Sequence, residues 1–306
     1  DNIKSHINKS GISDSRLRPS NYSFYFKKGI NWSFITSGSF GVRLHDKGFF
    51  FDVAGSSLFS NNLEKIGAFL NSNLAKRILK ALNPTINMQI ENIKMVPYVT
   101  VENNNVLENV LRLKDIAKQD WDLYETSWDF TSLALLQKEF KKSSLKESYN
   151  TLRAFWQTQV DTMKKLEEEN NDIFIKAYGL EDELKPEVPL KEITLTCNPT
   201  YRYDDKKSTD ELEALLLADT VKEYISYAVG MMFGRYSLDH DGLHIANQNE
   251  SMDEANAKFG ITKPTFEADS DNVIPILDGE WFIDDISERF FQFVKVTFGN
   301  ESYEKN

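Results

Sequence analysis

The stretch from about residue 144 to residue 178 limits the fold more than any other. Apolar residues recur at Leu145, Tyr149, Leu152, Trp156, Val160 and Met163, with gaps of 4, 3, 4, 4 and 3. At 3.6 residues per turn, that spacing places them on one face of an α-helix. Gly179 stands where a left-handed C-cap would end it. At 1.5 Å per residue such a helix is on the order of 50 Å long. An element of that length with a single apolar stripe serves either as a spacer or as an arm packed in a bundle. No run of ~18 apolar residues occurs, which excludes a membrane-spanning helix.

The remaining composition is that of a globular protein, with 306 residues, 41% hydrophobic and 27% charged. A chain this long has room for two cores. Cys197 is the single cysteine, so an intrachain disulfide and a Cys-based zinc site are excluded, and a reduced, cytoplasmic setting is expected. Residues 1–4 are polar and carry no signal-peptide pattern. The chain does not begin with Met, and a piece of a longer protein is expected. The net charge of −11 argues against nucleic acid as a partner, but it hides a gradient. Residues 1–100 carry +7, residues 101–200 carry −6 and residues 201–306 carry −12. A basic first third on an acidic last third is the asymmetry to explain.

The first third reads as mixed β and α. Residues 22–26, 30–36, 39–44 and 49–53 have strand character, with turns at Lys27-Lys28-Gly29, Ser37-Gly38 and Asp46-Lys47-Gly48. Ala54-Gly55-Ser56-Ser57 should end the last of these strands. Asn61 with Glu64 three residues on is a capping-box pattern for a helix carrying Leu63, Ile66, Phe69 and Leu70. A second helical piece over 73–82 should stop before Asn83-Pro84, because the residue before Pro disfavours α geometry. Residues 86–101 alternate as a strand would, 105–118 are amphipathic, and 120–130 form an aromatic-acidic loop. In the last third, Ser208 and Glu211 make a second capping box for a helix to about Tyr236. That helix is apolar all round at 228–233 and hence buried there. Residues 239–272 look irregular, and 284–298 form a final helix with Ile286, Phe290, Phe293, Val294 and Phe298 facing inward. The expected class is α+β: a mixed β/α domain over 1–140, then a mostly helical domain over 141–306 with the long spacer-like helix.

Motifs for independent chemistry are weak. Asn198-Pro199-Thr200-Tyr201 is close to the Asn-Pro-Pro-Tyr tetrad of amino-methyltransferases, which grips an exocyclic amine through a side-chain amide and a backbone carbonyl. Its second Pro is Thr, and no strand with a Gly-rich turn precedes it, so an Asx-Pro turn is expected. Asn83-Pro84-Thr85-Ile86 lacks the aromatic as well. Asp239-His240-Asp241-Gly242-Leu243-His244 offers metal-ligand types, yet Asp-Gly marks a turn and a solvated loop is expected. Asp269, Asp271, Asp278 and Glu280 miss calcium-loop spacing. Asp205-Lys206-Lys207 is a D-x-K fragment without the upstream partner a nuclease needs. No Walker, dinucleotide or nucleophile-elbow pattern occurs. No catalytic, cofactor-binding or metal residue is therefore assigned.

The basic residues of the first third carry more. Lys27, Lys28, Arg43 and Lys47 sit at strand ends or turns, and Lys76, Arg77 and Lys80 share a short helix, with Lys76 and Lys80 on one face. Side chains of this kind contact phosphates while polar loop residues read base edges. They are the candidate DNA-binding residues.

Several blocks point to a known family. They include Thr36–Arg43, Phe51–Ser57, Phe69–Ser72, Leu82–Gln89 with Asn92–Pro97, Trp121–Phe130, Tyr178-Gly179-Leu180 with Glu187–Leu190, and Phe293–Gly299. The most specific is Ile225–Tyr236, Ile-Ser-Tyr-Ala-Val-Gly-Met-Met-Phe-Gly-Arg-Tyr. Together they resemble the C-terminal half of the adenine-specific DNA methyltransferases of BREX phage-resistance systems, the PglX family, relatives of single-chain type IIG restriction-modification enzymes. The resemblance implies a target-recognition region followed by a helical region, inactive alone. Catalysis and S-adenosylmethionine would belong to a domain N-terminal to it. Implied partners are double-stranded DNA, that methyltransferase domain and other proteins of the defence system; the −12 balance of the last third suggests that it faces those proteins and not phosphate. Other readings are the specificity region of a type IIG enzyme, a self-contained hydrolase or nuclease, and an acidic protein-interaction scaffold without DNA contact.

Overall fold

Ile30 and Trp32 are the inward residues of a short strand, β1 (Gly29–Ser33), around which the sheet is built. A computed structural model of the chain describes residues 21–36, 38–203, 206–279 and 281–300. Residues 1–4, Ser37, Asp205 and Glu280, cited above, lie outside them. β1 pairs antiparallel with β2 (Arg43–His45) on one side and with β3 (Gly55–Leu58) on the other. The class is α+β, as expected: this small sheet and, otherwise, helices over roughly half of the described residues. The described residues divide between two compact units. The first runs up to Arg112 and takes in Glu167–Glu187, and the second joins Leu113–Leu166 to Val188 onward.

In the first unit, α1 (Leu63–Asn71) lies on the sheet, with Gly67 against Ile30 and Leu44. The Asn71 side chain receives the Val42 N–H at 2.8 Å and donates to the Val42 carbonyl at 3.1 Å, which ties α1 to the segment entering β2. α2 (Asn73–Leu82) follows at once, and Ser72 caps it by accepting from Ala75 N at 3.2 Å. It stops at Asn83 ahead of Pro84, as the sequence requires. α3 (Ile90–Lys94) comes next, then α4 (Asn104–Asp122), which belongs to this unit as far as Arg112 and to the second from Leu113. α5 (Leu145–Ala177) is the long helix; its last part, with Phe174 and Ile175 buried, completes the core of this unit. Phe69 packs on Phe174, Tyr98 and Tyr178, and Tyr178 donates to the Pro97 carbonyl. Asn171 does the polar joining: it accepts the Asn73 N–H at 2.9 Å and donates to the Pro186 carbonyl at 2.9 Å.

The second unit is helical. Leu152, Trp156, Val160 and Met163 of α5 are buried there, with Leu145 and Tyr149 against the same core, so the stripe is a packed arm in this unit. α6 is the single turn Pro199–Arg202, and α7 spans Thr209–Met232 behind the Ser208–Glu211 capping box. Ala228, Met231 and Met232 are buried. Gly230 is required by close approach, since a Cβ there would meet the Tyr236 ring at 2.9 Å. Gly234 is required by its left-handed φ of +70°. α8 (Met252–Phe259) and α9 (Ile286–Phe298) complete the unit, and Tyr224 of α7 hydrogen-bonds Thr297 of α9 at 2.9 Å.

Several local expectations fail. Residues 22–24 form a 3₁₀ turn rather than a strand, and Phe49–Phe51 are not strand. Phe50 and Phe51 pack on Tyr25, and Phe51 on Phe59; the aromatic preference for strands measures such packing more than backbone choice. β3 instead uses Gly-Ser-Ser-Leu, poor strand formers recruited by pairing with β1. Residues 86–101 contain α3, and α4 runs on through Asp120 to Asp122. The stretch 239–272 holds α8, introduced by a Ser251–Glu254 capping box. The Asn61–Glu64 pattern marks the right place, but Asn62 is the N-cap and its side chain makes no capping bond.

Candidate nucleic-acid interface

The candidate basic residues all lie in the first unit, in two groups. The β1–β2 register sets Gly29 opposite His45, and Gly48 N donates to Phe26 O at 3.1 Å beyond the ladder. Lys27 and Lys28 therefore face Lys47 and Asp46 across one end of the hairpin. Arg43 opens β2 at its other end, opposite Asn31. Lys76, Arg77 and Lys80 project from α2, which packs against α1 and α3.

Their engagement differs. Lys28 donates to Glu64 at 2.6 Å, so much of its charge is already answered. Lys27 sits over the Phe24 ring at 5.1 Å, a contact that leaves its charge intact. Lys47 is exposed on the turn, Arg77 and Lys80 are exposed on α2, and Lys76 is half-buried and has a partner.

Sequence reasoning missed what surrounds the hairpin end. Phe24, Phe26, Phe49 and Phe50 are exposed, and their neighbours Tyr25, Phe51 and Phe59 are half-buried beneath them. Tyr25 meets Phe50 at 4.8 Å and Phe51 at 5.0 Å; Phe24 stacks on Phe59 at 5.0 Å; Phe26 meets Phe50 edge-on at 4.6 Å. Phe26 holds a φ of +63°, a left-handed conformation that a bulky side chain rarely adopts. The signal in the sequence was the pairing of two aromatic runs, 22–26 and 49–51, with lysines beside each.

The catalytic look-alikes are used structurally. Asn198 is buried, its amide donating to the carbonyls of Leu190 at 2.7 Å and Ile193 at 2.8 Å, while its oxygen caps α6 by accepting from Thr200 N. It cannot also grip an adenine. Asn83 likewise donates to Asn87 O and Asn92 Oδ1 and accepts from Thr85. The described sheet is small and antiparallel, in the order β2-β1-β3. Asp239 accepts from Thr265 N at 2.8 Å, and His240 bonds His244 at 2.7 Å beneath a stack on Phe259. Burial, then the neighbouring His240, holds the His244 imidazole below its usual titration range. Among the described residues no three His, Cys, Asp or Glu side chains are grouped to hold a metal ion. Asp269 accepts from Val273 N in a local turn. Cys197 is buried beside Asp120, whose carboxylate accepts from Thr196 N at 2.6 Å and Cys197 N at 3.0 Å; burial pushes the thiol pKa far up, the opposite of a nucleophile's need.

No family model matches the chain. Two relatives align with almost all of it. The adenine-specific methyltransferase BrxX of Escherichia coli O9:H4 (strain HS) is 31% identical over 291 residues, 94% of this chain and 24% of that protein. The adenine-specific methyltransferase PglX of Lacticaseibacillus casei (strain Zhang) is 34% identical over 317 aligned positions, 99% of this chain and 24% of that protein. The chain spans about a quarter of the length of these curated relatives. Across nearly its whole length, this chain is a homologue of part of the adenine-specific methyltransferases BrxX and PglX.

Proposed function

We propose that this chain is the non-catalytic, DNA-reading region of a BREX-type adenine-specific DNA methyltransferase, related to type IIG enzymes. In this reading the first unit holds the duplex. The acidic remainder meets the methyltransferase domain, which binds S-adenosylmethionine, and other proteins of the defence system. The observation that carries it is homology along 94% and 99% of the chain to proteins named for adenine methylation, in residues whose one tetrad-like asparagine is committed to backbone bonds. The basic first third supports it: Lys27 and Lys47 at the hairpin end, and Arg77 and Lys80 on α2, are outward cations in the unit that holds the sheet.

The test is duplex binding by the pure chain at increasing salt. Binding should weaken with a slope of about −0.9 for each phosphate neutralised, whereas a protein-only scaffold binds no duplex even at low salt. Replacing Lys27, Lys28, Lys76, Arg77 and Lys80 together with Glu should abolish binding, and unchanged affinity would overturn the assignment of these residues. Duplex cleavage by the pure chain with Mg²⁺ or Mn²⁺ would favour a nuclease instead.

A further inference from the structure

We propose that the exposed aromatic end of the β1–β2 hairpin is a wedge that enters duplex DNA at an unstacked base step, with Phe26 and Phe50 as the inserting rings. The inference rests on the DNA-reading function above and names a contact that function does not require.

Two layers make the feature. Phe24, Phe26, Phe49 and Phe50 are 40%, 50%, 58% and 55% exposed, which is costly for four phenylalanines in water unless something covers them. Below them Tyr25 and Phe59 are half-buried and hold Phe50 and Phe24, Phe51 braces Phe59 from within, and His45 meets Phe49 at 5.9 Å. The outer rings thus stand on a preformed base instead of folding back into the core. The left-handed backbone at Phe26 keeps that ring outward, edge-on to Phe50. Strain of this kind in a bulky residue gathers at ligand clamps.

Charge chooses the occupant. Lys27 and Lys47 flank the rings from facing sides of the hairpin, beyond the ends of β1 and β2. The carboxylates near them are engaged: Glu64 by Lys28, Asp52 by the N–H groups of Ala54 and Gly55, and Asp46 likewise has a partner. Exposed aromatics rimmed by lysine suit a polyanion with flat apolar faces, whereas lysine is depleted from protein–protein interfaces. Wedges of this type insert between base pairs, and basic residues beside them hold the backbone phosphates.

The wedge predicts a preference that charge alone cannot give. A single-base bulge has already lost stacking at one step, so the 306-residue chain should bind a bulged duplex on the order of tenfold tighter than the intact duplex of the same sequence. Phe26→Ala with Phe50→Ala should erase that preference, and Phe26→Trp with Phe50→Trp should keep it. Lys27→Glu with Lys47→Glu should weaken both duplexes equally and leave the preference in place. Wild-type protein that binds both duplexes alike overturns the wedge but spares the DNA-reading function, as does a preference that survives the double alanine variant. Wild-type protein that binds neither duplex at low salt overturns both. Circular dichroism of each variant identifies loss of fold, and the wild-type comparison decides the matter even if an alanine variant does not fold.

Discussion

Asn171 gives the sharpest test of how the first unit is held together. It lies near the end of α5, 3% exposed, and bonds two pieces of backbone that are far away in sequence. Its carbonyl takes the N–H of Asn73, the first amide of α2, which has no partner inside that helix. Its amide donates to Pro186 O. Asn171→Leu keeps the volume and deletes both bonds. A buried donor or acceptor left without a partner costs about 1–3 kcal/mol, so two of them cost about 2–6 kcal/mol. Asn73 is only half-buried, and water can take part of that loss, which lowers the expectation to about 3 kcal/mol. For a unit of this size that corresponds to a fall in melting temperature on the order of 10 °C. The assay is thermal unfolding of wild type, Asn171→Leu and Asn171→Ala side by side. The alanine variant should fall further, because it adds a cavity. A leucine variant that melts within about 2 °C of wild type would refute the reasoning, since it would mean that solvent already reaches this amide.

Three further perturbations probe the second unit. Gly234→Ala places a Cβ on a residue at φ +70°, against the Met252 methyl; the methyl can swing aside, so the backbone term of about 1–2 kcal/mol should dominate, and chemical denaturation that shows no loss argues against a fixed left-handed turn. Arg153→Met removes a fork in which Nε and one terminal nitrogen reach Glu213 at 2.8 and 2.6 Å, and should cost about 1–2 kcal/mol because Glu213 stays partly solvated; an unchanged urea midpoint sinks that estimate. His244 titrates below its unfolded value, so its neutral form is favoured in the folded state. Its contribution is whole above about pH 6.5 and is lost as pH falls from there through the folded pKa. Denaturation midpoints should decline over that window, less steeply in His244→Gln, and identical slopes in the two proteins would exclude His244 as the source.

Helices were legible where one residue decides a boundary. Pro84 stops α2, Ser208 with Glu211 starts α7, and Gly179 at φ +67° follows α5. The apolar stripe from Leu145 to Met163 was readable because a helix turns the same way whatever it packs against. Strands were legible only in part: 30–36 and 39–44 overlap β1 and β2, but pairing depends on partners distant in sequence, and β3 is strand only through β1. The same is true of the return of Glu167–Glu187 to the first unit, where the partners of Asn171 lie 98 and 15 residues away. α8 was missed although its capping box was in plain view, inside a stretch that reads as irregular. Among the candidate DNA-binding residues, chain position was readable for all. The ion pair that engages Lys28 and the rings beside Lys27 were not, since both come from tertiary placement.

The burial of Cys197 has a practical consequence for separating the two units. It is the chain's single thiol, 1% exposed and strongly biased toward its protonated, unreactive form. An alkylating reagent can therefore modify it only when the second unit opens, and the labelling rate becomes a clock for that opening. The first unit has no thiol to contribute to the signal. Mass spectrometry of a labelling time course thus times the second unit alone, in the unmodified protein and without an added probe.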